Sequence, residues 1–192
     1  MGGVNATPGR LQHVLPYFRN RALAFAALCG VGHGHFFAVM DTPEVRDWLR
    51  LPDSFNRAAA WSSMAMFLGQ WQLRGTGNWA LEEKATGRLI GRAGTHHPEY
   101  EDWPGVEIGW ALHPEVWGQG FATEAGQAAK DYGFEVLGEE ELFSCILPSN
   151  LRSQAVAQRL GFTLLEERVL SHFPQEPHGI WSCRSYVGSD PT

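Results

Sequence analysis

The order of patterned segments predicts an α/β fold, a central, mostly antiparallel mixed sheet with helices layered against it. Three features carry that prediction. Strand-like runs alternate with helix-periodic runs from His35 onward. Two of the strand-like runs, residues 78–83 and 88–95, flank Ala85-Thr86-Gly87 and read as a hairpin. An alanine-rich helical run follows a glycine-rich loop, and small side chains let such a helix lie close on a sheet. A chain of 192 residues, 44% hydrophobic and 19% charged, is long enough for one sizeable core. The pattern places one domain over residues 35–188 behind an irregular segment, residues 1–34.

Each element has its own signal. Residues 35–40 and 43–49 read as short helices separated by Asp41-Thr42, a cap with Pro43 at the first helical position. Residues 54–73 read as a long helix with Met64, Phe67, Leu68 and Trp71 at helical spacing, stopped by Gly75-Thr76-Gly77. The next strand, residues 106–112, is halted by Pro114. The helix opening near Phe121 puts Ala122, Ala125, Ala129, Tyr132 and Val136 on one face. Residues 142–147 suit a buried strand and 150–160 a helix. Residues 162–169 and 180–187 suit terminal strands. Most of the eight tryptophans are expected in the core or lining a pocket.

Composition excludes several classes. A formal charge of −6 disfavours a nucleic-acid backbone and mildly favours a cationic acceptor. Cys29, Cys145 and Cys183 are an odd number without a Cys-x-x-Cys pair, which suits a reducing compartment. The apolar run from Ala22 to Gly30 follows Arg19 and Arg21 as a leader's core does, but Leu28 before Cys29 is a poor processing site. That run is also far shorter than the roughly 20 residues that span a bilayer. Ala6 stands where myristoylation favours Ser or Thr. A cytoplasmic location without a membrane partner is expected. His33-Gly34-His35 and His96-His97 lack further ligands at characteristic spacing, so no metal is expected.

The most informative stretch is Trp117-Gly118-Gln119-Gly120, where a strand ends and a helix begins. The first amides of a helix lack internal partners and carry the positive end of its dipole. Glycines ahead of it let the main chain approach a phosphate closely. Neither the mononucleotide P-loop nor the dinucleotide glycine pattern occurs here.

The loop instead resembles the acetyl-CoA loop of the GNAT superfamily of N-acetyltransferases. In the family pattern Gln/Arg-x-x-Gly-x-Gly/Ala, Gly120 and Ala122 fill the last two fixed positions, and Trp117 stands where Gln or Arg is usual. A tryptophan there is similar to the ribosomal-protein (Rim) branch. A second motif, Asn150-x-x-Ser153 leading through an amphipathic helix to Gly161-Phe162, is similar to the family's other cofactor-side signature. The resemblance extends from about His35 to Val187 and implies a layered GNAT-like sheet. Its departure is at the front, where residues 1–34 lack the usual first strand, and residues 19–29 are offered as a substitute.

The resemblance also implies roles. Acetyl-CoA would lie beside the 106–112 strand, with a backbone N–H near Ala111 or Leu112 polarising the thioester carbonyl. Trp117 and the amides of Gly118, Gln119, Gly120, Phe121 and Ala122 would hold the pyrophosphate. Asn150 would cap its helix, touch the cofactor, or do both. Ser153 stands where a hydroxyl protonates the departing thiolate, although many acetyltransferases have tyrosine there.

For a general base, Glu107 is the first choice, because a carboxylate on a central strand is costly without a task or partner. Glu99, Glu101 and Asp102 in the preceding loop compete with it. The absence of cysteine from both motifs favours direct transfer to a primary amine over an acetyl-cysteine intermediate. The resemblance implies the α-amino group of a protein or peptide as acceptor. A small-molecule amine and an inactive acyl-CoA-binding module stay open as alternatives, and so does a homodimer.

Overall fold

The computed structural model describes residues 23–26, 28 and 32–185. A seven-stranded sheet forms its centre, in the order β1-β2-β3-β4-β5-β7-β6. The strands are β1 (Leu23–Ala26), β2 (Asn78–Glu83), β3 (Arg88–His96), β4 (Glu107–Leu112), β5 (Glu141–Ile146), β6 (Thr163–Leu170) and β7 (Phe173–Arg184). All neighbours are antiparallel except β4 and β5. The helices are α1 (His33–Met40), α2 (Pro43–Leu49), α3 (Arg57–Arg74), α4 (Phe121–Glu135) and α5 (Leu151–Arg159). The predicted α/β class and mostly antiparallel sheet are what the chain adopts.

Two apolar layers sandwich the sheet. On one face, Phe36 and Met40 of α1, Val45 of α2, and Met64 and Phe67 of α3 pack over Ala80 and Ala111. On the other, Ala129 and Tyr132 of α4 and Ala157 of α5 cover Ile108 and Leu142. Burying a side chain of this size contributes about 1.5–3 kcal/mol, so each face anchors its helices firmly. The small residues of α4 matter as expected, since a Cβ on Gly133 would lie 2.8 Å from the Leu142 side chain. Val136 departs from its predicted place. The helix ends at Glu135, and Val136 turns away as its C-cap, 47% exposed.

The front of the chain fills the missing edge. Leu23–Ala26, inside the segment offered as a substitute strand, pairs antiparallel with β2. Leu28 is buried against the α1–α3 layer. The backbone N–H of Leu23 donates to Glu124 Oε1 at 3.1 Å, tying this edge to the first turn of α4. Arg19, Arg21, Cys29 and Val187 lie outside the described residues.

One irregularity positions the site. Along β4 and β5 only Glu107 and Phe143 pair, after which the two strands diverge. The other edge of β4 stays paired with β3 from Glu107 to Leu112 without interruption. The carbonyls of Val106 and Ile108 face β5, accepting from Phe143 N–H and the Ser144 hydroxyl. His113 N–H instead donates to Ile90 on the β3 side. Backbone groups alternate sides along a strand, so those of Trp110 and Leu112 face the opening. The N–H of Ala111 points into the β3 pairing. Of the two amides expected to polarise a carbonyl, only that of Leu112 is therefore directed at the gap, and Trp110 joins it.

Candidate active site

Two cavities meet at this gap. The larger, about 970 Å³, is lined by Trp110, Leu112, Trp117, Gly118, Gly120, Phe121 and Ala122 from one arm and by Asn150 and Ser153 from the other. The smaller, about 560 Å³, lies toward the α3 layer and includes Arg92, His96, Glu107, Gly109 and Cys145. Trp48, Trp110, Asn150 and Ser153 border both.

Local chemistry explains the larger cavity. Gly118 at φ 78° and Gly120 at φ 87° sit in the left-handed region that suits glycine. Gly120 is the N-cap of α4, and Glu124 N–H makes the first helical bond back to its carbonyl. The amides of Phe121, Ala122 and Thr123 precede that bond, so they and the helix dipole are available to an anion. Gln119 is different. It lies off the cavity wall, with its side-chain amide donating to Glu115 O at 3.1 Å.

Trp117 lines the cavity and fastens its rim. Its indole N–H donates to Leu112 O at 2.8 Å, and the Arg152 guanidinium stands 4.9 Å from its ring. Asn150 Oδ1 accepts from Ser153 N–H at 3.1 Å, the geometry of a helix N-cap. Ser153 thereby sits in the first turn of α5, on the wall common to both cavities. Arg152 and Arg159 add positive charge to the larger cavity. The sequence reading passed over them, although their i, i+7 spacing on a predicted helix marks one face.

The smaller cavity is built from side chains. Glu107 Oε1 accepts from Cys145 N–H at 3.2 Å, and Oε2 lies 3.6 Å from His96 Nδ1. Among the described residues it is the carboxylate that lines this cavity. The competing acids are placed elsewhere. Glu99 pairs with Arg74, and Glu101 is exposed. Asp102 accepts from Ser171 N–H at 2.6 Å and from its hydroxyl at 2.7 Å. Those bonds hold its carboxyl below the usual range and make it a latch on the β6–β7 turn.

Arg92, which sequence reasoning missed, donates from Nη1 to Asn78 Oδ1 at 2.8 Å and lies 5.1 Å from the Phe67 ring centre. Enclosure pushes its pKa down to about 10 while Glu107 opposes that shift, so it stays cationic at neutral pH. Burial pushes the imidazoles of His172 and His178 down, which keeps these two lining residues neutral there. Burial, reinforced by Glu107, pushes the Cys145 thiol far up, so it is held as a thiol and is a poor nucleophile. Among the described residues, no three His, Cys, Asp or Glu side chains are grouped to hold a metal ion. No described helix is long and apolar enough to cross a membrane.

Comparison with known proteins agrees with this geometry. The chain is similar to the uncharacterized protein YkkB of Bacillus subtilis, 34% identical over 87 residues, 45% of this chain and 51% of that one. It is 27% identical over 150 residues to the FsC-acetyl coenzyme A-N(2)-transacetylase of Aspergillus fumigatus, covering 78% of this chain and 58% of that protein. The chain thus spans little more than half the length of either relative. The crystal structure of an acetyltransferase from Agrobacterium tumefaciens superimposes with a TM-score of 0.75 at 27% identity, over 88% of this chain and 94% of that one. The acetyltransferase (GNAT) domain profile matches residues 32–163. An α/β sheet that parts between β4 and β5, a glycine loop opening α4 and this profile match lead to one identification: the chain belongs to the GNAT acetyltransferase family.

Proposed function

We propose that the enzyme transfers acetyl from acetyl-CoA directly to a primary amine, and that the amine is an α-amino group. The observation that carries the reading is the shared wall of the two cavities beside the unpaired edge of β4. Acetyl-CoA fits the larger cavity. Its pyrophosphate suits the amides of Gly118, Gly120, Phe121 and Ala122, with Arg152 and Arg159 as counter-charges. Bound there, it supplies a thioester carbonyl for attack.

The protein groups then have separate tasks. The N–H groups of Leu112 and Trp110 are directed where a carbonyl oxygen would gain negative charge. The amine nitrogen bonds to the carbonyl carbon as the carbon–sulfur bond breaks. Glu107 takes the proton from the amine, directly or through one water. Ser153 Oγ–H delivers a proton to the leaving sulfur. Asn150 keeps Ser153 in place by capping α5.

The α-amino assignment rests on acidity and on the resemblance of Trp117 and its loop to the Rim branch. A lysine amine with pKa about 10.4 is neutral in about one molecule in 2,500 at pH 7. A terminal α-amino group with pKa about 7.7–8.0 is neutral in roughly one in six to eleven. The second needs little help from a single partly buried carboxylate. A peptide or protein is the acceptor the resemblance implies. A small-molecule amine is the second reading, favoured by the enclosed, charged character of the smaller cavity. The name of the Aspergillus relative, an N(2)-transacetylase, is compatible with either.

The test uses one peptide with an internal lysine, its N-terminus free or blocked, beside a panel of free amines. Mass spectrometry should find acetyl on α-amino groups alone. Equal acetylation of the blocked and free peptides defeats the α-amino reading. Acetyl-CoA binding without turnover of any amine favours the inactive module.

A further inference from the structure

The floor of the smaller cavity carries a feature that amine transfer alone does not use. Arg92, Gly94 and His96 of β3 lie opposite Ala111, Gly109 and Glu107 of β4, all on one face of the sheet. From there the Arg92 guanidinium reaches Asn78, whose register partner is Gly94. It therefore extends one register row along the sheet, to the β2 side of the row formed by Asn78, Gly94 and Gly109, which lies between Arg92 and the row that holds Glu107. A Cβ built on Gly109 meets nothing within 4 Å, so open space stands between the cation and the carboxylate.

Charge bookkeeping within this cavity leaves Arg92 over. The other lining arginine, Arg50, is held by Glu176 through two hydrogen bonds. No carboxylate of the described residues forms an ion pair with Arg92, and its hydrogen-bonding partner is the neutral amide of Asn78. Three further buried atoms of the lining, Trp103 Nε1, His96 Nε2 and His178 Nδ1, have no hydrogen-bond partner among the described residues. A wall with one cation, one carboxylate and unspent polar atoms complements a ligand carrying both signs. A plain diamine or a lysine side chain would bring a second cation against Arg92, which disfavours it.

We infer that the acceptor is a small amino acid, its carboxylate on the Arg92 guanidinium above Gly109 and its amino group on the Glu107 side. The inference rests on the small-molecule reading of the acceptor cavity. A guanidinium suits this task because its planar fork matches a carboxylate in two bonds. Arg92 is then a specificity residue, and Asn78 positions it.

The experiment measures release of CoA thiol from acetyl-CoA with free amino acids, their carboxamides, polyamines and peptides with free N-termini. The wild type should prefer at least one amino acid over its own carboxamide by about ten- to a hundredfold in kcat/KM, the range of one charge-assisted pair. Arg92→Gln should bring that ratio near one, chiefly through KM, with acetyl-CoA affinity unchanged. Gly109→Ala adds a methyl group into open space, so it keeps the fold even if Arg92→Gln does not. It should raise KM for the acid as well. Equal use of acid and carboxamide by the wild type overturns the inference, as does an acid preference that survives Arg92→Gln. Turnover of peptides or polyamines without any amino acid overturns it while acetyl transfer stands. No thiol release with any amine overturns both.

Discussion

The two cavities of this enzyme are made in different ways. The larger one is built mainly from main chain: two glycines in left-handed conformation, the first amides of α4, and the unpaired edge of β4. The smaller one is built from side chains that arrive from β2, β3, β4, β5 and β7. A backbone site depends on a conformation that a few consecutive residues encode. A side-chain site depends on the register that brings distant strands together. The first kind tolerates change in side chains that do not set the conformation. The second kind tolerates almost none, yet leaves little trace in any local stretch of sequence.

The largest expected effect tests the side-chain cavity. Glu107→Gln removes the carboxylate and keeps the shape, so kcat should fall by about a hundredfold or more at neutral pH, the usual scale of general-base loss. Part of the rate should return as pH rises toward the acceptor's own pKa, since a neutral amine no longer needs the base. A pH–rate profile that merely drops in parallel with wild type would break the assignment.

The backbone cavity is tested by a paired substitution. Gly120→Val puts a β-branched residue at φ 87° and should weaken acetyl-CoA binding by about ten- to a hundredfold, the cost of such backbone strain. Gln119→Ala, one position away but off the cavity wall, should leave the affinity unchanged. Calorimetry that finds the two equivalent would erase the contrast between the cavities.

Smaller effects come from the shared wall. Ser153→Ala should lower kcat by about tenfold with acetyl-CoA affinity preserved, if its hydroxyl serves the leaving sulfur. A wild-type rate in that variant defeats the role. Asn150→Ala removes the cap of α5 and should cost about 0.5–2 kcal/mol of stability, read from thermal or denaturant unfolding.

The same contrast explains what could be read from the chain. The helices at Pro43–Leu49 and Phe121–Glu135 follow from Pro43 and from the glycine loop, both local signals. The cofactor-side candidates rest on the same kind of local signal. Strand β7 was read too short, from Ile180 instead of Phe173, because Pro174 and Pro177 look like loop residues. They are tolerated because that half of β7 pairs with β6 alone, through an irregular register, so one side needs no N–H donors. Arg92 was missed because nothing within β3 distinguishes it. Its role depends on Asn78 and Gly109, which pairing places beside it. Glu107 stands out as a candidate because a carboxylate in a central strand breaks the pattern, whereas Glu99, Glu101 and Asp102 compete by nearness in sequence.

Trp117 has a consequence for how fast the larger cavity can be filled. Its indole joins the end of β4 to the glycine loop, and its ring faces Arg152 on the opposite arm of the gap. A pair of this kind near the surface contributes about 0.5–1 kcal/mol, and it spans the mouth. Folding has already ordered the loop, so little conformational entropy remains to be lost when a ligand arrives. The expected outcome is capture governed by diffusion and by the pull of Arg152 and Arg159, which stopped-flow binding with a single concentration-dependent phase would show.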